Sequence, residues 1–262
     1  ALTTRQEILI FTDATLYSMQ YLGPPYVFGF NVVGDNLSIM SPQAASLASG
    51  AAYWMGRDKF YTYTGRVDTL PCTLRQYVFG DINLNQAFKT ISGTNEGFNE
   101  VWWFYCSASS DDIDRYVIYN YVEQVWYYGS MVRTAWLDSA GRDYPLAATG
   151  TTLLYHESGV DDNATGTPAG IDASIESSDF DIGDGESFGF VWRLIPDLSF
   201  KGSTTGTTPS ATMYLTPRST PGAAQGTAAS GAVSATSAYP VDSFTEILMT
   251  RVRGRQMSFK IR

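Results

Sequence analysis

Glu100-Val-Trp-Trp-Phe-Tyr-Cys106, the polar stretch 107–114 and Arg115-Tyr-Val-Ile-Tyr-Asn-Tyr121 together form the pattern on which most of this chain is built. Aromatic and β-branched residues favour strands, and the Ser- and Asp-rich stretch between the two runs predicts a hairpin turn. A third run, Val125–Tyr128, follows after three residues. The unit is therefore predicted to be an antiparallel meander with tight connections.

Both faces of this meander carry large side chains. Because side chains alternate along a strand, Val117 and Tyr119 fall on one face, while Tyr116 and Ile118 fall on the other. A sheet of this kind requires cover on both sides. Neighbouring sheets of the same kind provide such cover in the blades of a propeller.

Similar hairpins are predicted elsewhere, at a spacing of about 40 to 50 residues that is typical of propeller blades. Between these hairpins, the stretch around Val33–Asn36 shows no clear strand pattern. Residues 73–92 also depart from the strand pattern. One short helix is expected there, over Asp81–Phe88, with Asp81 as its cap. The further hairpins pair Glu7–Phe11 with Thr15–Leu22, Gly50–Gly56 with Lys59–Thr64 and Arg66–Leu70, and Tyr144–Thr149 with Thr151–Glu157.

The pattern changes near residue 165, which predicts propeller-type blades over 1–165 and a separate β region over 166–262. The fold is predicted to be all-β: a partial or complete β-propeller of antiparallel blades with an additional C-terminal β-sandwich-like region. Segments 202–209 and 219–240 consist almost wholly of Gly, Ala, Ser, Thr and Pro and are expected to be loops. The C-terminal strands are expected at Ala173–Ile182, Phe188–Leu198, Ala211–Thr216, Ile247–Val252 and Gln256–Ile261.

Composition supports a packed protein and argues against disorder. Of the 262 residues, 44% are hydrophobic and only 16% are charged. The net charge of −9 argues against tight wrapping of nucleic acid, although a repulsive wall would still let DNA pass.

Cys72 and Cys106 are expected to be reduced strand residues, and no segment is apolar over the roughly 20 residues that cross a membrane. The chain opens on Ala1 and soon enters a strand pattern, so we expect it to be a piece of a longer protein.

No catalytic constellation emerges from the sequence. Ser187 lies in a Gly-x-Ser-x-Gly pattern, but a strand is predicted after it, where a nucleophile elbow needs a helix. The only histidine, His156, is better explained as a strand residue. Glycoside hydrolysis needs paired carboxylates, yet the Ser-x-Asp-x-Gly-x-x-Trp turn of sialidase-type propellers is absent. The chain is therefore predicted not to be an enzyme and to need no cofactor. Candidate carboxylates near turns are Asp111, Asp112, Asp114, Asp138 and Asp143.

Two charged segments in the C-terminal half are candidate sites. One is the acidic segment 179–186, a candidate calcium loop. The spacing of its carboxylates does not match that of an EF-hand, so an acidic turn is the favoured interpretation. The other is an Arg-rich end, which could be a solvated strand face, a patch that pairs with an acidic neighbour, or a DNA contact. Alternation would place Arg251, Arg253 and Arg255 on one side of a strand. The calcium candidates are Asp179, Asp181, Asp184 and Glu186, and the interface candidates are Arg251, Arg253, Arg255, Lys260 and Arg262.

Three stretches, Gly50–Cys72, Gly93–Cys106 and Arg251–Arg262, resemble the tail hub, nozzle and packaged-DNA stabilisation proteins of short-tailed bacteriophages. This resemblance implies a β-propeller with additional β structure. It also implies a homo-oligomer, expected to be a hexameric ring in the virion, around the DNA channel below the portal. Members of this family are usually longer than this chain.

The expected function is therefore a structural component of a phage tail, a hub, nozzle or adaptor, that helps form or close the DNA channel. Its partners would be other tail or adaptor proteins and DNA that passes without specific binding, and its location would be the virion tail after synthesis in the host cytoplasm. The alternative is a propeller that binds or hydrolyses carbohydrate, suggested by Trp and Tyr beside Asp-rich turns. A scaffold protein that never enters the particle is a third possibility.

Overall fold

The computed structural model describes residues 1–139, 142–159, 161–162, 166–167, 169–181, 183–200, 209–224 and 236–262. These residues form an all-β protein of several antiparallel sheets, which confirms the predicted fold class at this level. The chain divides into two compact units, Ala1–Val160 and Asp161–Arg262. No helix in the described ranges has the length and apolar character that a membrane span requires.

Four antiparallel sheets follow one another along the first unit, and within each sheet successive strands are neighbours. Their first strands begin at residues 2, 45, 91 and 135, which are 43, 46 and 44 residues apart. We name them sheets 1 to 4. Sheet 1 comprises Leu2–Thr3, Ile8–Phe11, Thr15–Tyr21 and Phe28–Asp35; sheet 2 comprises Ala45–Ala48, Ala51–Met55, Phe60–Tyr63 and Val67–Leu70; sheet 3 comprises Ile91–Asn95, Glu100–Tyr105, Arg115–Asn120 and Val125–Ser130; the described strands of sheet 4 are Ala135–Leu137, Leu146–Thr149 and Thr152–Tyr155.

The predicted hairpins are all present, but each of the four sheets gains at least one strand that the sequence pattern did not reveal. Leu2–Thr3 in sheet 1 and Ala135–Leu137 in sheet 4 are two of them. Phe28–Asp35 includes the stretch around Val33, Ala45–Ala48 precedes the second hairpin, and Ile91–Asn95 begins inside the segment expected to be non-strand. Two of these strands are short and rich in small residues, which weakens the alternation that marks a strand.

The region before sheet 3 contains two helical segments instead of one. An α-helix spans Arg75–Gly80, and a 3-10 segment spans Leu84–Lys89. The expected cap at Asp81 was wrong, because the side chain of Asn83 accepts the capping hydrogen bond from the Asn85 backbone. Placing both cysteines inside strands was also wrong. Cys72 and Cys106 are free thiols that lie just after strands, and burial raises the pKa of Cys72 to about 11.

Three apolar cores join the four sheets face to face, in chain order. Leu9 and Leu16 of sheet 1 pack with Trp54 of sheet 2 in the first core. The second core joins sheets 2 and 3, and the third joins sheet 3 to Trp136 of sheet 4. The two faces of sheet 3 are occupied as the alternation predicted, since Val117 and Tyr119 belong to the second core, and Tyr116 and Ile118 to the third.

The first strands of sheets 2, 3 and 4 also lie side by side. Gln43, just before sheet 2, forms a parallel bridge with Ile91 of sheet 3, and its carbonyl oxygen accepts a hydrogen bond of 2.8 Å from the Ser92 backbone. Trp136 of sheet 4 donates from Nε1 to the Thr94 carbonyl at 2.7 Å. Sheets 2, 3 and 4 are thus joined along one edge as well as across their faces.

The second unit contains a five-stranded sheet and a two-stranded ribbon that share a small core. Val252 of the ribbon packs with Leu215 and Met257 of the sheet. A further strand pair joins Asp161–Asp162 and Ala169–Gly170. The ribbon pairs Gly189–Leu194 with Leu248–Gly254, and the sheet comprises Ile175–Glu176, Phe180–Asp181, Gln256–Ile261, Ser210–Arg218 and Ser237–Asp242.

Several expectations for this unit were wrong in their bounds. Instead of one long strand over Ala173–Ile182, two short strands flank a break at which the Asp179 side chain turns to Arg218; Ile182 lies outside the described residues. The ribbon strand ends at Leu194 and not at Leu198, ahead of a proline that cannot donate to a ladder. Part of the expected loop 219–240 is instead the edge strand Ser237–Asp242, in which Tyr239 packs on the core. Residues 202–208 and 225–235 of the expected loops lie outside the described residues.

Candidate interaction surface

The two-stranded ribbon of the second unit has one buried and one exposed face. Along Leu248–Gly254, Thr250 and Val252 are buried, whereas Arg251 and Arg253 are exposed. This alternation follows from the pleat of a strand. On the neighbouring strand, Phe190 is paired directly with Arg253 and is 57% exposed.

Aromatic rings and guanidinium groups are interleaved on this exposed face. The guanidinium carbon of Arg253 lies 4.9 Å from the ring centre of Phe188, and that of Arg255 lies 5.6 Å from the same ring. Arg193 lies 4.8 Å from the ring of Trp192, which is 53% exposed. The negative face of an aromatic ring attracts a cation that lies over it, and a stacked guanidinium can still pair with a carboxylate at its edge. We call this surface the cationic–aromatic face: Phe188, Phe190, Trp192, Arg193, Arg251, Arg253 and Arg255.

Arg255 differs from the two arginines before it. The strand ends at Gly254, so Arg255 lies in the bend that leads into the last strand. Its guanidinium donates to the backbone carbonyl of Glu186, and its Nε atom is buried without a hydrogen-bond partner. Arg255 therefore fixes the turn beside Phe188 as well as contributing charge to the face.

Lys260 and Arg262, the other two interface candidates, are paired within the chain. Arg262 donates to both carboxylate oxygens of Asp172, at 2.8 and 2.7 Å, and Lys260 lies 3.7 Å from the Glu176 carboxylate. The hydrogen bond from Arg262 holds the pKa of Asp172 below its usual value, and the same bond raises the pKa of Arg262. These pairs join the last strand to the segment around Asp172, so the two residues are separate from the cationic–aromatic face.

The four candidate calcium ligands do not converge on one point. Asp179 forms an ion pair of 2.9 Å with Arg218, and an Asp181 oxygen accepts a 2.9 Å hydrogen bond from Gln256. Asp184 accepts from the backbone of Glu186 at 3.1 Å, which is typical of an acidic turn. Within the described parts of the chain, no three His, Cys, Asp or Glu side chains are grouped so that they could hold a metal ion.

The residues considered for nucleophilic catalysis have structural contacts. The ring of His156 accepts a hydrogen bond at Nε2 from Arg133 at 2.8 Å and lies 4.7 Å from Trp136. Ser187 lies in a bend, and the strand Gly189–Leu194 follows, as predicted. A nucleophile elbow would require a helix there.

The aspartates considered for sugar hydrolysis are divided among separate turns. Asp114 accepts from the backbone and the hydroxyl of Ser107, each at 2.7 Å. Asp138 accepts from Thr94 at 2.9 Å and so helps join sheets 3 and 4. Asp112 pairs with Lys89 at 3.0 Å, the carbonyl of Asp111 accepts from the same lysine at 2.5 Å, and Asp143 is exposed.

Glu100, at the start of the second strand of sheet 3, is a carboxylate that the sequence did not single out. Burial raises the pKa of Glu100, and the charges of Glu157 and Glu123 raise it further. Its carboxylate accepts a 2.9 Å hydrogen bond from Nε1 of Trp102, while Asn95 donates to Glu157 at 3.2 Å. Glu100 is thus held by a hydrogen bond within its own sheet.

The aromatic half of the cationic–aromatic face was also missed in the sequence. Its signal was available, because Phe188, Phe190 and Trp192 recur with the period of two that places side chains on one face of a strand. The charge pattern identified Arg251, Arg253 and Arg255 but not the aromatic residues that lie beside them.

No protein-family model matches this sequence, and no curated protein shows significant similarity to it.

Proposed function

We propose that this chain is a structural component of the tail of a short-tailed bacteriophage, a hub, nozzle or adaptor that helps form or close the DNA channel below the portal. The proposal joins the resemblance carried by Gly50–Cys72, Gly93–Cys106 and Arg251–Arg262 to the architecture of the first unit. It includes a homo-oligomeric ring, other tail proteins as partners, and DNA that passes without specific binding.

One observation carries the proposal: sheets 1 to 4 stack in chain order, and sheets 2, 3 and 4 are joined along their first strands. The parallel bridge between Gln43 and Ile91 and the bond from Trp136 to Thr94 place these strands beside one another. Blades of a propeller are arranged in this way around an axis. We propose that the four sheets are blades of a propeller, and that the five-stranded sheet and the ribbon of the second unit form a sandwich.

The charge of the chain supports a passive role towards DNA. A net charge of −9 disfavours binding to phosphates, because that affinity depends on their neutralisation by Lys and Arg. A channel wall of this character would let DNA slide without retaining it.

The cationic–aromatic face is proposed as the contact with an acidic tail partner. Arginine suits interfaces because its planar guanidinium pairs with carboxylates while it stacks on rings. Replacing Arg251 and Arg253 by Ala should reduce incorporation of the chain into particles in a complementation assay. The control is Arg66→Ala, since Arg66 is an exposed arginine of sheet 2's last hairpin that pairs with Asp68. Equal incorporation of both variants would remove this face from the interface.

The carbohydrate alternative has less support. Five of the six tryptophans pack in the cores of the first unit, and only Trp192 is exposed. The aspartates that suggested hydrolysis hold turns and sheet contacts.

Electron microscopy of purified virions labelled with gold-conjugated antibody to this chain tests the proposal. We expect label on the tail, and loss of that label when the antibody is first absorbed with the purified protein. Label confined to host extracts, with unlabelled particles, would contradict it.

A further inference from the structure

Sheet 1 has a second apolar face, on the side opposite its core with sheet 2. The pairs Tyr21–Phe28, Met19–Phe30 and Tyr17–Val32 lie across its last two strands. No charged residue occurs between Asp13 and Asp35. Phe30 is 61% exposed and Val32 56%. We define the outer face of sheet 1 as Tyr17, Met19, Tyr21, Phe28, Phe30 and Val32.

Sheet 4 also has an uncovered apolar face, at the other end of the stack. The side chains of Trp136 and Ala147 face the core that sheet 4 shares with sheet 3. Because side chains alternate along a strand, the residues before and after each of them lie on the opposite face of sheet 4. Leu153 is 73% exposed and Tyr155 63%. The segment 144–155 contains no charged residue. We define the outer face of sheet 4 as Ala135, Leu137, Leu146, Ala148, Leu153 and Tyr155.

We propose that copies of this chain associate head to tail, with the outer face of sheet 4 of one copy packed on the outer face of sheet 1 of the next. This inference deepens the homo-oligomeric part of the proposed function and rests on it. Within one copy, every junction between neighbouring sheets is the contact of two such apolar faces. The outer face at one end of a copy can therefore cover the outer face at the other end of a second copy. Neither face carries a charge that would be desolvated without a partner.

The size of the two faces supports a contact between copies. An aromatic side chain offers about 150–250 Å² for burial, so Tyr21, Phe28 and Phe30, each more than half exposed, leave on the order of 100 Å² apiece open. With the aliphatic residues, the outer face of sheet 1 reaches roughly 500 Å², the upper range for a monomer surface. Adding the face of sheet 4 brings the contact to roughly 1,000 Å², where specific interfaces begin.

The geometry also favours a second copy over a lipid surface. Phe28, Phe30 and Val32 occupy alternate positions of one strand, and Leu16 and Val33 of the same two strands pack into the core with sheet 2. A flat, pleated face of this kind is complementary to another sheet. Because the two faces are different and lie at opposite ends, the contact is heterologous and can close into a ring.

Sedimentation velocity over a concentration series tests the inference with two variants, Phe30→Lys and Leu153→Lys. Each blocks one of the two faces, and both positions are exposed, so the fold should be retained, which circular dichroism can verify. We expect each variant alone to raise the apparent dissociation constant by about 30-fold or more. An equimolar mixture should form dimers that grow no further, because each variant keeps the face that the other has lost.

Matched controls are Asn31→Lys and Thr152→Lys, which add the same charge at exposed positions next to the two test residues but on the other side of each strand. Both should associate as the unmodified chain does. An unmodified chain that stays monomeric, or a Leu153→Lys variant that still dimerises, would overturn the inference. A monomer that instead floats with phosphatidylcholine vesicles would overturn it in favour of lipid. None of these outcomes depends on the virion label, so failure here is distinguishable from failure of the tail assignment.

Discussion

The hydroxyl of Tyr63 in sheet 2 donates a 2.6 Å hydrogen bond to the carboxylate of Glu7, which lies just before the second strand of sheet 1. Glu7 also accepts from Ser18 and Gln20 of its own sheet. Burial raises the pKa of Glu7, but these three hydrogen bonds outweigh it and hold that pKa below its usual value of 4.5. The pKa of Tyr63 is raised to about 12, by burial and by the same bond. The pair is thus a polar link at an otherwise apolar junction.

Replacing Glu7 by Gln should lower the free energy of unfolding by about 1–2 kcal/mol, because charge-assisted hydrogen bonds become neutral ones. Urea denaturation at neutral pH measures this. Asp143→Asn, at an exposed site in the same unit, is the control and should change stability by less than about 0.5 kcal/mol. Equal effects of the two substitutions would contradict a specific role for Glu7.

The contribution of Glu7 should also depend on pH. Since its folded pKa is lowered, the stabilisation is fully present above the unfolded value of 4.5 and is lost as the pH falls through the folded pKa. The stability difference between the unmodified chain and Glu7→Gln should therefore be constant near neutrality and shrink in acid. A difference that grows as the pH falls would show that the pKa is raised instead.

Glu100 should behave in the opposite way. Its raised pKa means that the ionised form of Glu100 is disfavoured in the folded chain. Ionised Glu100 therefore destabilises the fold above its folded pKa, and this destabilisation is relieved as the pH falls through that pKa. Glu100→Gln keeps an oxygen that can accept from Trp102, so at neutral pH it should leave stability unchanged or increase it by up to about 1 kcal/mol. The gain should disappear in acid. A loss of 2 kcal/mol or more at neutral pH, measured by denaturation, would contradict this assignment.

Gly93 allows the close approach of sheets 3 and 4. A Cβ atom at this position would lie 2.1 Å from Cδ1 of Trp136. Gly93→Ala should therefore destabilise the first unit by about 1–3 kcal/mol and change the fluorescence of its tryptophans. Gly80→Ala is the matched control, since its Cβ would meet no atom within 4 Å. If both variants unfold at the same denaturant concentration, sheets 3 and 4 are not packed as described.

Calcium should not stabilise the second unit. Asp179 and Asp181 already pair with Arg218 and Gln256, and binding calcium would require those contacts to break. Thermal unfolding with millimolar calcium and with a chelator should give the same midpoint. An increase on addition of calcium that is lost in Asp181→Asn would show that the acidic turn is a calcium site.

The sequence was most informative where strands alternate large side chains. The two-faced pattern around Val117 and Ile118 gave both cores of sheet 3, and the spacing of the hairpins matched the spacing of the sheets. It was least informative for Ala45–Ala48 and Ile91–Asn95, whose small residues show no alternation even though they form the edge that joins the sheets. Those strands are specified by contacts distant in sequence, such as the bond from Trp103 to the Ala44 carbonyl.

The cationic–aromatic face was also predictable only in part, because contacts distant in sequence decide which charged residues belong to it. Charge alone identified Arg251 and Arg253, but Lys260 and Arg262 belong to a different surface because Asp172 and Glu176 lie across from them in the folded chain. Pairing over about 90 residues cannot be inferred from local pattern.

A reconstruction of the virion tail by electron cryomicroscopy tests the central claim most directly, namely that these sheets are architectural parts that must be covered on both sides. We expect the chain in a ring on the tail axis, with Phe30 and Leu153 each buried against a neighbouring sheet. A particle that lacks the chain, or a ring in which these two side chains face solvent, would contradict it.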